Sequence, residues 1–313
     1  MSWNIAIVGV TGAVGQEFLA LLEERNFPAA NYKLLASDRS AGKKISFVGR
    51  EHVVEELTEN SFHDIDIALF SAGGSISKQF APLAVQSGTI VVDNSSAFRM
   101  DENVPLIIPE INADLIHHHQ GVIANPNCST IITLVPVWSL HRANPVRRMV
   151  ASTYQAVSGA GARAMDELIN QTRNVLEGKE IQPEVFDVPC AFNCFSHNSE
   201  IGPNGYNVEE MKMVHETHKI FADDLIAITC TCIRVPVLRA HSISINLEFD
   251  QPMEVAQAVD LLHQTPGITI IDDCENNRFP MPLDAAGQDD IFVGRIRQDE
   301  SLLDSHGLNL WVV

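Results

Sequence analysis

Cys128 is the residue best placed by its neighbours to act as a nucleophile. It lies in Asn125-Pro126-Asn127-Cys128-Ser129-Thr130, between a strand-like run (Gly121 to Ala124) and an apolar pattern at Ile131, Leu134, Val135 and Trp138 with helical spacing. A cysteine opening a helix meets the positive end of the dipole and backbone N–H groups that lack helical partners; both favour the thiolate. Thiolate, not thiol, is the attacking form. Cysteines are also among the most buried residue types, so a lone one is inert core by default. The rest of the chain has to decide.

Near the N-terminus, Gly9-Val10-Thr11-Gly12-Ala13-Val14-Gly15 follows an apolar strand and opens a helix. The spacing is G-x-x-G-x-x-G. Glycines there let the backbone turn tightly and approach a pyrophosphate, whose charge meets the helix N-terminus. In that strand–turn–helix setting Gly9, Thr11, Gly12, Ala13, Val14 and Gly15 read as a dinucleotide cradle rather than a structural turn. The next strand ends in Ser37-Asp38-Arg39-Ser40. Asp38 suits the ribose 2′-OH of NAD; Arg39 and Ser40 suit the 2′-phosphate of NADP. On charge the segment favours NADP, with Lys43 and Lys44 read as a solvated turn.

The elements that must position these residues fall into two groups. In 1–127, strand-like runs (Ile5 to Val8, Tyr32 to Ala36, Ile65 to Phe70, Thr89 to Val92) alternate with helical ones (Val14 to Leu22, Ser77 to Val85). That order implies a parallel sheet covered by helices, a Rossmann-like dinucleotide-binding domain. From 128 to 313 the texture changes. Long β-rich runs (Arg148 to Val157, Ile226 to Val237, His241 to Phe249) are interrupted by two helices, Gly161 to Glu177 and Met253 to His263. This fits an α+β domain with a mostly antiparallel sheet. Pro136 falls inside the helix that Cys128 opens and removes one hydrogen bond there. The boundary coincides with Cys128, and sites often lie between domains.

Composition narrows the function classes. The chain has 313 residues and a net charge of −19, from 21 Lys and Arg against 40 Asp and Glu. Nucleic acid and anionic membrane both require a basic footprint, so neither is an expected partner. An anionic small ligand must be held by a few local cations. No secretory signal precedes the first strand and no apolar run approaches the ~20 residues that span a bilayer, so the chain reads as cytoplasmic. The six cysteines lack zinc spacing and read as thiols; Cys190, Cys194, Cys230 and Cys232 are read as packing residues. His117-His118-His119 reads as a solvated loop or helix end, and no metal site is expected.

Taken together, the motifs resemble the aspartate-β-semialdehyde dehydrogenase family over essentially the whole chain. The carriers are Gly9 to Gly15, Ser37 to Gly42, Phe70-Ser71-Ala72-Gly73-Gly74, Asp93 to Arg99, Pro109 to Asn112, Asn125 to Thr130, Gln155 to Gly161, Glu209 to Lys212 and Arg234 to His241. The resemblance implies a glyceraldehyde-3-phosphate-dehydrogenase-like fold that dimerises through its second domain. It also implies reduction of L-aspartyl-4-phosphate to L-aspartate-4-semialdehyde with NADPH, releasing phosphate, in lysine, diaminopimelate, methionine, threonine and isoleucine biosynthesis.

The same resemblance implies roles for residues. Cys128 would form a thioacyl intermediate, His241 would be the acid/base, and Gln155 would orient the substrate or thiohemiacetal. Arg99 and Lys212 would bind phosphate, Arg234 the α-carboxylate and Glu209 the α-ammonium, with Asn127 also at the substrate. Ser71, Ala72 and Gly73 would line the cofactor, and Ser158 and Gly159 would border the nicotinamide. Without the family, Glu209 and Lys212 would be a surface ion pair on one helix face. Family members continue past the last strand into a helix on the nucleotide domain, which this chain, ending at Val313, is expected to lack. Three rivals remain: N-acetyl-γ-glutamyl-phosphate reductase, a non-catalytic paralogue acting as a binding or scaffold protein, and a cysteine hydrolase, which would not need Gly9 to Gly15.

Overall fold

The structure is a computed structural model describing residues 2–302 and 304–313; Met1, part of the N-terminal reading above, lies outside them. The chain divides into two compact units, Met1–Pro126 and Asn127–Val313.

The first unit contains β1 (Trp3–Val8), β2 (Ala29–Ala36), β3 (Lys44–Phe47), β4 (Arg50–Val53), β5 (Glu55–Glu56), β6 (Ile67–Phe70), β7 (Ile90–Asp93) and β8 (Val122–Ala124). Its helices are α1 (Ala13–Glu24), α2 (Gly74–Gln86) and α3 (Pro109–Asn112). Six strands form one sheet in the order β5-β2-β1-β6-β7-β8, with every pairing parallel. Strand β1 shows why both faces are covered. Ala6 and Val8 pack on one side with Phe80, Ala81 and Ala84 of α2, while Ile5 and Ile7 pack on the other with Leu19 of α1. A parallel sheet buried on both faces reads as a continuous apolar run, as Ile5-Ala6-Ile7-Val8 does.

The second unit contains α4 (Cys128–Ala143), β9 (Val146–Gln155), α5 (Ala162–Leu176), β10 (Phe195–Ser196), α6 (Val208–Phe221), β11 (Ala227–Arg234), β12 (Ser242–Phe249), α7 (Val255–His263), β13 (Ile268–Ile270), α8 (Pro282–Ala285), β14 (Ile291–Gln298) and β15 (Gly307–Val312). Its sheet runs β10-β11-β9-β12-β15-β14-β13. Only β11–β9 and β13–β14 are parallel; the other pairs are antiparallel. On β12, Ile243, Ile245, Leu247 and Phe249 are fully buried, while Ser244, Asn246 and Glu248 between them are partly exposed on the opposite face. That alternation marks a sheet packed on one side only.

Several expectations need correction. The second unit holds more than the two helices read from its sequence. Of helix α6 only the face shared by Glu209 and Lys212 was read; it buries Glu209, Glu210 and Glu216 among its apolar residues, which interrupts the apolar run. Strand β14 was likewise unread. In the first unit Lys44 belongs to strand β3 rather than a turn, with Nζ 2.7 Å from Glu51 on β4. Cys194 is exposed in the loop entering β10, contrary to its reading as a packing residue, whereas Cys190, Cys230 and Cys232 are buried as read. No helix among the described residues is long and apolar enough to cross a membrane.

Candidate active site

In the first unit the β1–α1 turn is built around two glycines with no room for a side chain. Gly9 has φ +86°, and a Cβ there would stand 2.4 Å from the Ser71 carbonyl oxygen; one on Gly15 would stand 2.3 Å from that of Gly9. The turn is thereby drawn against Ser71, and the start of α1 stays open at Thr11, Gly12 and Val14, which are exposed. Thr11 and Ser40 place their hydroxyls 3.5 Å apart, so the turn before α1 and the end of β2 meet. Arg39 is exposed in the short helical turn Asp38–Ser40, whose Ser37 carbonyl accepts the Ser40 N–H. Ala72 and Gly73 follow β6, and Gly73 (φ +89°) caps α2. A bare helix N-terminus beside a lone guanidinium and hydroxyls fits a dinucleotide pyrophosphate and a ribose substituent. Arg99 is buried and donates to the carbonyls of Asn94 (3.0 Å) and Asn125 (2.9 Å), bracing the ends of β7 and β8.

In the second unit the sheet register collects the other residues at one end. Strands β9 and β11 are parallel, with Gln155 opposite Arg234, so both finish together. Strand β12 is antiparallel to β9, with Ser242 opposite Tyr154, so its start, just after His241, reaches the same place. Helices α4 and α6 bring their N-termini there. Asn127 caps α4: its Oδ1 accepts the N–H groups of Ser129 (2.9 Å) and Thr130 (3.3 Å). Its own N–H donates to Glu216 (2.7 Å) and its Nδ2 to Glu209 (2.8 Å). The open helix end expected beneath Cys128 is therefore already capped by a neighbouring amide. The sulfur also stands in the dipole of α4 and the field of Arg234. Cys128 is exposed, not core, and none of the six cysteines is in a disulfide.

Glu209 is only 4 % exposed. It accepts Asn127 Nδ2, Gln155 Nε2 (3.1 Å) and Lys212 Nζ (2.9 Å). Burial pushes its carboxyl up, but Lys212, His197 and the Asn127 amide outweigh that and hold it at about 2. The surface ion-pair reading of Glu209 and Lys212 is thus incorrect, because α6 turns this face inward. Gln155, 1 % exposed, is pinned at both ends, by Glu209 and by the Thr153 hydroxyl (3.2 Å). Arg234 donates Nη1 to the Ala156 carbonyl (2.8 Å) and lies over the Phe186 ring, yet its buried Nε has no partner. A buried guanidinium N–H without an acceptor calls for an anion. His241 is buried, and its Nδ1 accepts the Ala156 N–H (2.9 Å); burial, then Arg234, lowers it to about 4. Gly159 lies against both: a Cβ there would be 3.2 Å from Arg234 Nη1 and 3.3 Å from His241 Nε2. Ser158 beside it donates its N–H to the Leu238 carbonyl.

Four contributors escaped the sequence reading. His197 stands in the field of Glu209, Arg234 and Lys212, and burial lowers it to about 4. Ser199 accepts the Glu209 N–H at 3.1 Å. Glu216 lies seven residues after Glu209, so helical spacing could have placed both on one face. Ala156 acts through its main chain, which no sequence pattern announces.

Comparison with known proteins agrees with this arrangement. Residues 4–119 match the family described as semialdehyde dehydrogenase, NAD binding domain, and residues 138–313 match semialdehyde dehydrogenase, dimerisation domain. An aspartate-semialdehyde dehydrogenase of Synechocystis sp. is 53% identical over 309 residues, covering 99% of this chain and 91% of the relative. One from Bacillus subtilis is 46% identical over 318 residues, covering 99% and 91%. The solved structure of aspartate semialdehyde dehydrogenase II from Vibrio cholerae, complexed with ASA, superposes with a TM-score of 0.96 at 42% identity, covering 100% of this chain and 92% of that one. With both of its units matched and its length shared almost throughout, the chain belongs to the aspartate-semialdehyde dehydrogenase family.

Proposed function

We propose that the protein reduces L-aspartyl-4-phosphate to L-aspartate-4-semialdehyde with NADPH, releasing phosphate, as a step of amino-acid biosynthesis. The observation that carries this reading is the pairing of Arg234, buried with an unsatisfied Nε, with Glu209, a buried carboxylate held ionised. An α-amino acid offers one group to each: its carboxylate to Arg234 and its ammonium to Glu209. Asn127 and Gln155 both bond to Glu209 and fix its orientation.

Cys128, at the first turn of α4, attacks the acyl carbon; a C–S bond forms, the C–O bond to phosphorus breaks, and phosphate leaves. Lys212 and Arg99 are the proposed phosphate ligands. NADPH, when bound, would supply the hydride that reduces the thioester. Gln155 orients the thiohemiacetal, His241 serves the reacting oxygen, and Ser158 and Gly159 leave room for a flat ring. Gly9 to Gly15 with Ser71, Ala72 and Gly73 hold the pyrophosphate end, and Ser37, Arg39 and Ser40 favour a 2′-phosphate. The absence of a side chain at Gly9 and Gly15 supports that use of the cradle.

A homodimer through the second unit belongs to the same reading. Its support is the half-covered sheet, where Tyr154 is 40% exposed and its ring lies 5.5 Å from that of Trp311. Six thiols without a disulfide suit a cytoplasmic location.

The test is phosphate dependence. Purified protein given aspartate semialdehyde and NADP forms NADPH only when phosphate or arsenate is added; no NADPH at high protein concentration defeats the proposal in favour of a scaffold. Cys128→Ala abolishes turnover and still binds NADP. Arg39→Ala weakens NADPH by about 10-fold or more relative to NADH, as loss of one charge-assisted phosphate contact requires; equal weakening removes the 2′-phosphate assignment.

A further inference from the structure

We propose that Glu216 is a positioning residue for the nucleophile: from α6 it completes the cap of α4, taking the Asn127 main-chain N–H and so fixing where Cys128 stands. This deepens the proposed reductase activity and rests on it.

Asn127 starts α4 with an extended backbone (φ −62°, ψ 142°), and its Oδ1 accepts the N–H groups of Ser129 and Thr130. That is half of a capping box. The other half is an acceptor for the cap residue's own N–H, ordinarily a Glu or Gln side chain three residues on. Helix α6 has both halves, Asn207 with Glu210. On α4 the third residue is Thr130, whose hydroxyl is buried and has no partner among the described residues. The Asn127 N–H is itself buried and needs an acceptor from elsewhere. It meets Glu216 Oε2 at 2.7 Å, 89 residues along the chain.

Both carboxyl groups around Asn127 are rigidly placed. Glu216 is 1 % exposed, and Glu209, two helical turns before it, lies on the same buried face of α6. Glu209 takes Asn127 Nδ2 at 2.8 Å while Glu216 takes the main chain. Asn127 is thereby held at its N–H, its Nδ2 and its Oδ1. Cys128 is the next residue and the first of α4. Its main chain inherits that fixed start, and side-chain rotation alone remains to place Sγ.

Supply from α6 also suits the chemistry. A local Glu would lie across the first turn of α4, beside Cys128. Cys128 is exposed there, and an acyl phosphate is anionic, so that carboxylate would repel what has to approach. Glu216 reaches the same N–H from the buried side and leaves the exposed side clear.

Helix α6 thus divides its work by turn. Glu209 and Lys212, in its first turns, hold substrate in the proposed reaction, and Glu216 holds the nucleophile's helix. Loss of the Glu216 contact lets Sγ drift while Arg234 on β11 and Lys212 keep their places. The chemical step then suffers more than binding, since moving a reacting atom by about 1 Å can cost about 100-fold.

Two substitutions in the full chain separate reach from charge. Glu216→Gln keeps an acceptor at the same reach without the carboxylate; Glu216→Asp keeps the carboxylate and falls one methylene short. In phosphate-dependent oxidation of aspartate semialdehyde with NADP, Glu216→Gln is expected to hold kcat within about 5-fold of native. Glu216→Asp is expected to lower it about 30-fold or more, with KM changed less than about 3-fold in both. Native-like kcat in Glu216→Asp, a Glu216→Gln protein no better than Glu216→Asp, or a loss confined to KM overturns the proposal.

Hydrogen exchange at the Asn127 amide is the second readout and needs no turnover. It is expected to stay slow in the native protein and Glu216→Gln, and to quicken about 10-fold or more in Glu216→Asp. Equal protection in all three overturns the role. Asn207→Ala, which weakens the same helix at its own cap, is the control for general destabilisation; exchange at Asn127 as fast as in Glu216→Asp would make the effect unspecific and overturn the assignment. Native protein without phosphate-dependent turnover would defeat the reductase reading, while Asn127 exchange would still decide whether Glu216 holds the cap.

Discussion

Glu209, His197 and His241 are three ionisable groups whose environments push them away from their ordinary values, in a space set by a few side chains. Glu209 is held at about 2 in the fold, so its stabilising contribution is complete above the unfolded carboxylate value and disappears as pH falls from about 4.5 toward 2. The two histidines are lowered to about 4. Below about 6.5 the unfolded chain binds protons that the folded one refuses, so their contribution is also complete at neutrality and is lost as pH falls from 6.5 to 4. For buried His241 alone the loss is about 3 kcal/mol at most. Denaturant midpoints at a series of pH values should therefore drop steeply below about pH 6, and His241→Asn should flatten that slope; an unchanged slope contradicts the buried neutral ring. Cys128, Glu209 and Arg234 were picked out through the motif strings that carry the family resemblance. Their electrostatics were not, because each depends on a partner remote in sequence, as Glu209 depends on Asn127 and Gln155.

At the level of the element, the two helices that enter this space are each started by an asparagine. Asn207 forms a capping box on α6: its side chain accepts the Glu210 N–H while Glu210 accepts the Asn207 N–H, both at 2.9 Å. Glu209 and Lys212 lie in the first turns of the helix so fixed. Asn207→Ala is expected to cost about 1–2 kcal/mol by denaturant unfolding. It should also raise KM for aspartate semialdehyde more than it lowers kcat, since it loosens the proposed substrate ligands Glu209 and Lys212 and leaves Cys128 on α4. A larger effect on kcat than on KM would place the proposed roles of Glu209 and Lys212 elsewhere. Helix α4 was legible from its long apolar run behind the Cys128 motif, whereas the extent of α6 was not, because three buried glutamates interrupt the apolar residues on its inner face. Its cap, Asn207 followed three residues later by Glu210, was there to be read.

For the whole molecule, the alternation of strand-like and helical runs in 1–126 made the parallel sheet readable without a structure. The order of the second sheet was not readable, since β10, β13 and the partner of β15 depend on long-range pairing that composition does not encode. The same sheet leads to the assembly prediction. Its uncovered face carries Val150, Ser152 and Tyr154 on β9 with Asn309 and Trp311 on β15, a mixed surface with aromatic anchors. Sedimentation at micromolar concentration should show a dimer for the native chain and a shift toward monomer for Tyr154→Glu; a variant that stays dimeric would move the interface away from this face.

Ala156 deserves a final consequence for how such a protein is surveyed by mutation. The atoms it contributes are common to nearly every amino acid, so a scan of replacements at 156 reports only how much bulk a tight spot tolerates. Proline is the exception, and its ring would be driven into the space the imidazole fills. A genetic screen would therefore file the position under packing. Only chemistry that edits the chain itself, such as exchanging that one amide for an ester, would expose the hydrogen bond it gives to the imidazole.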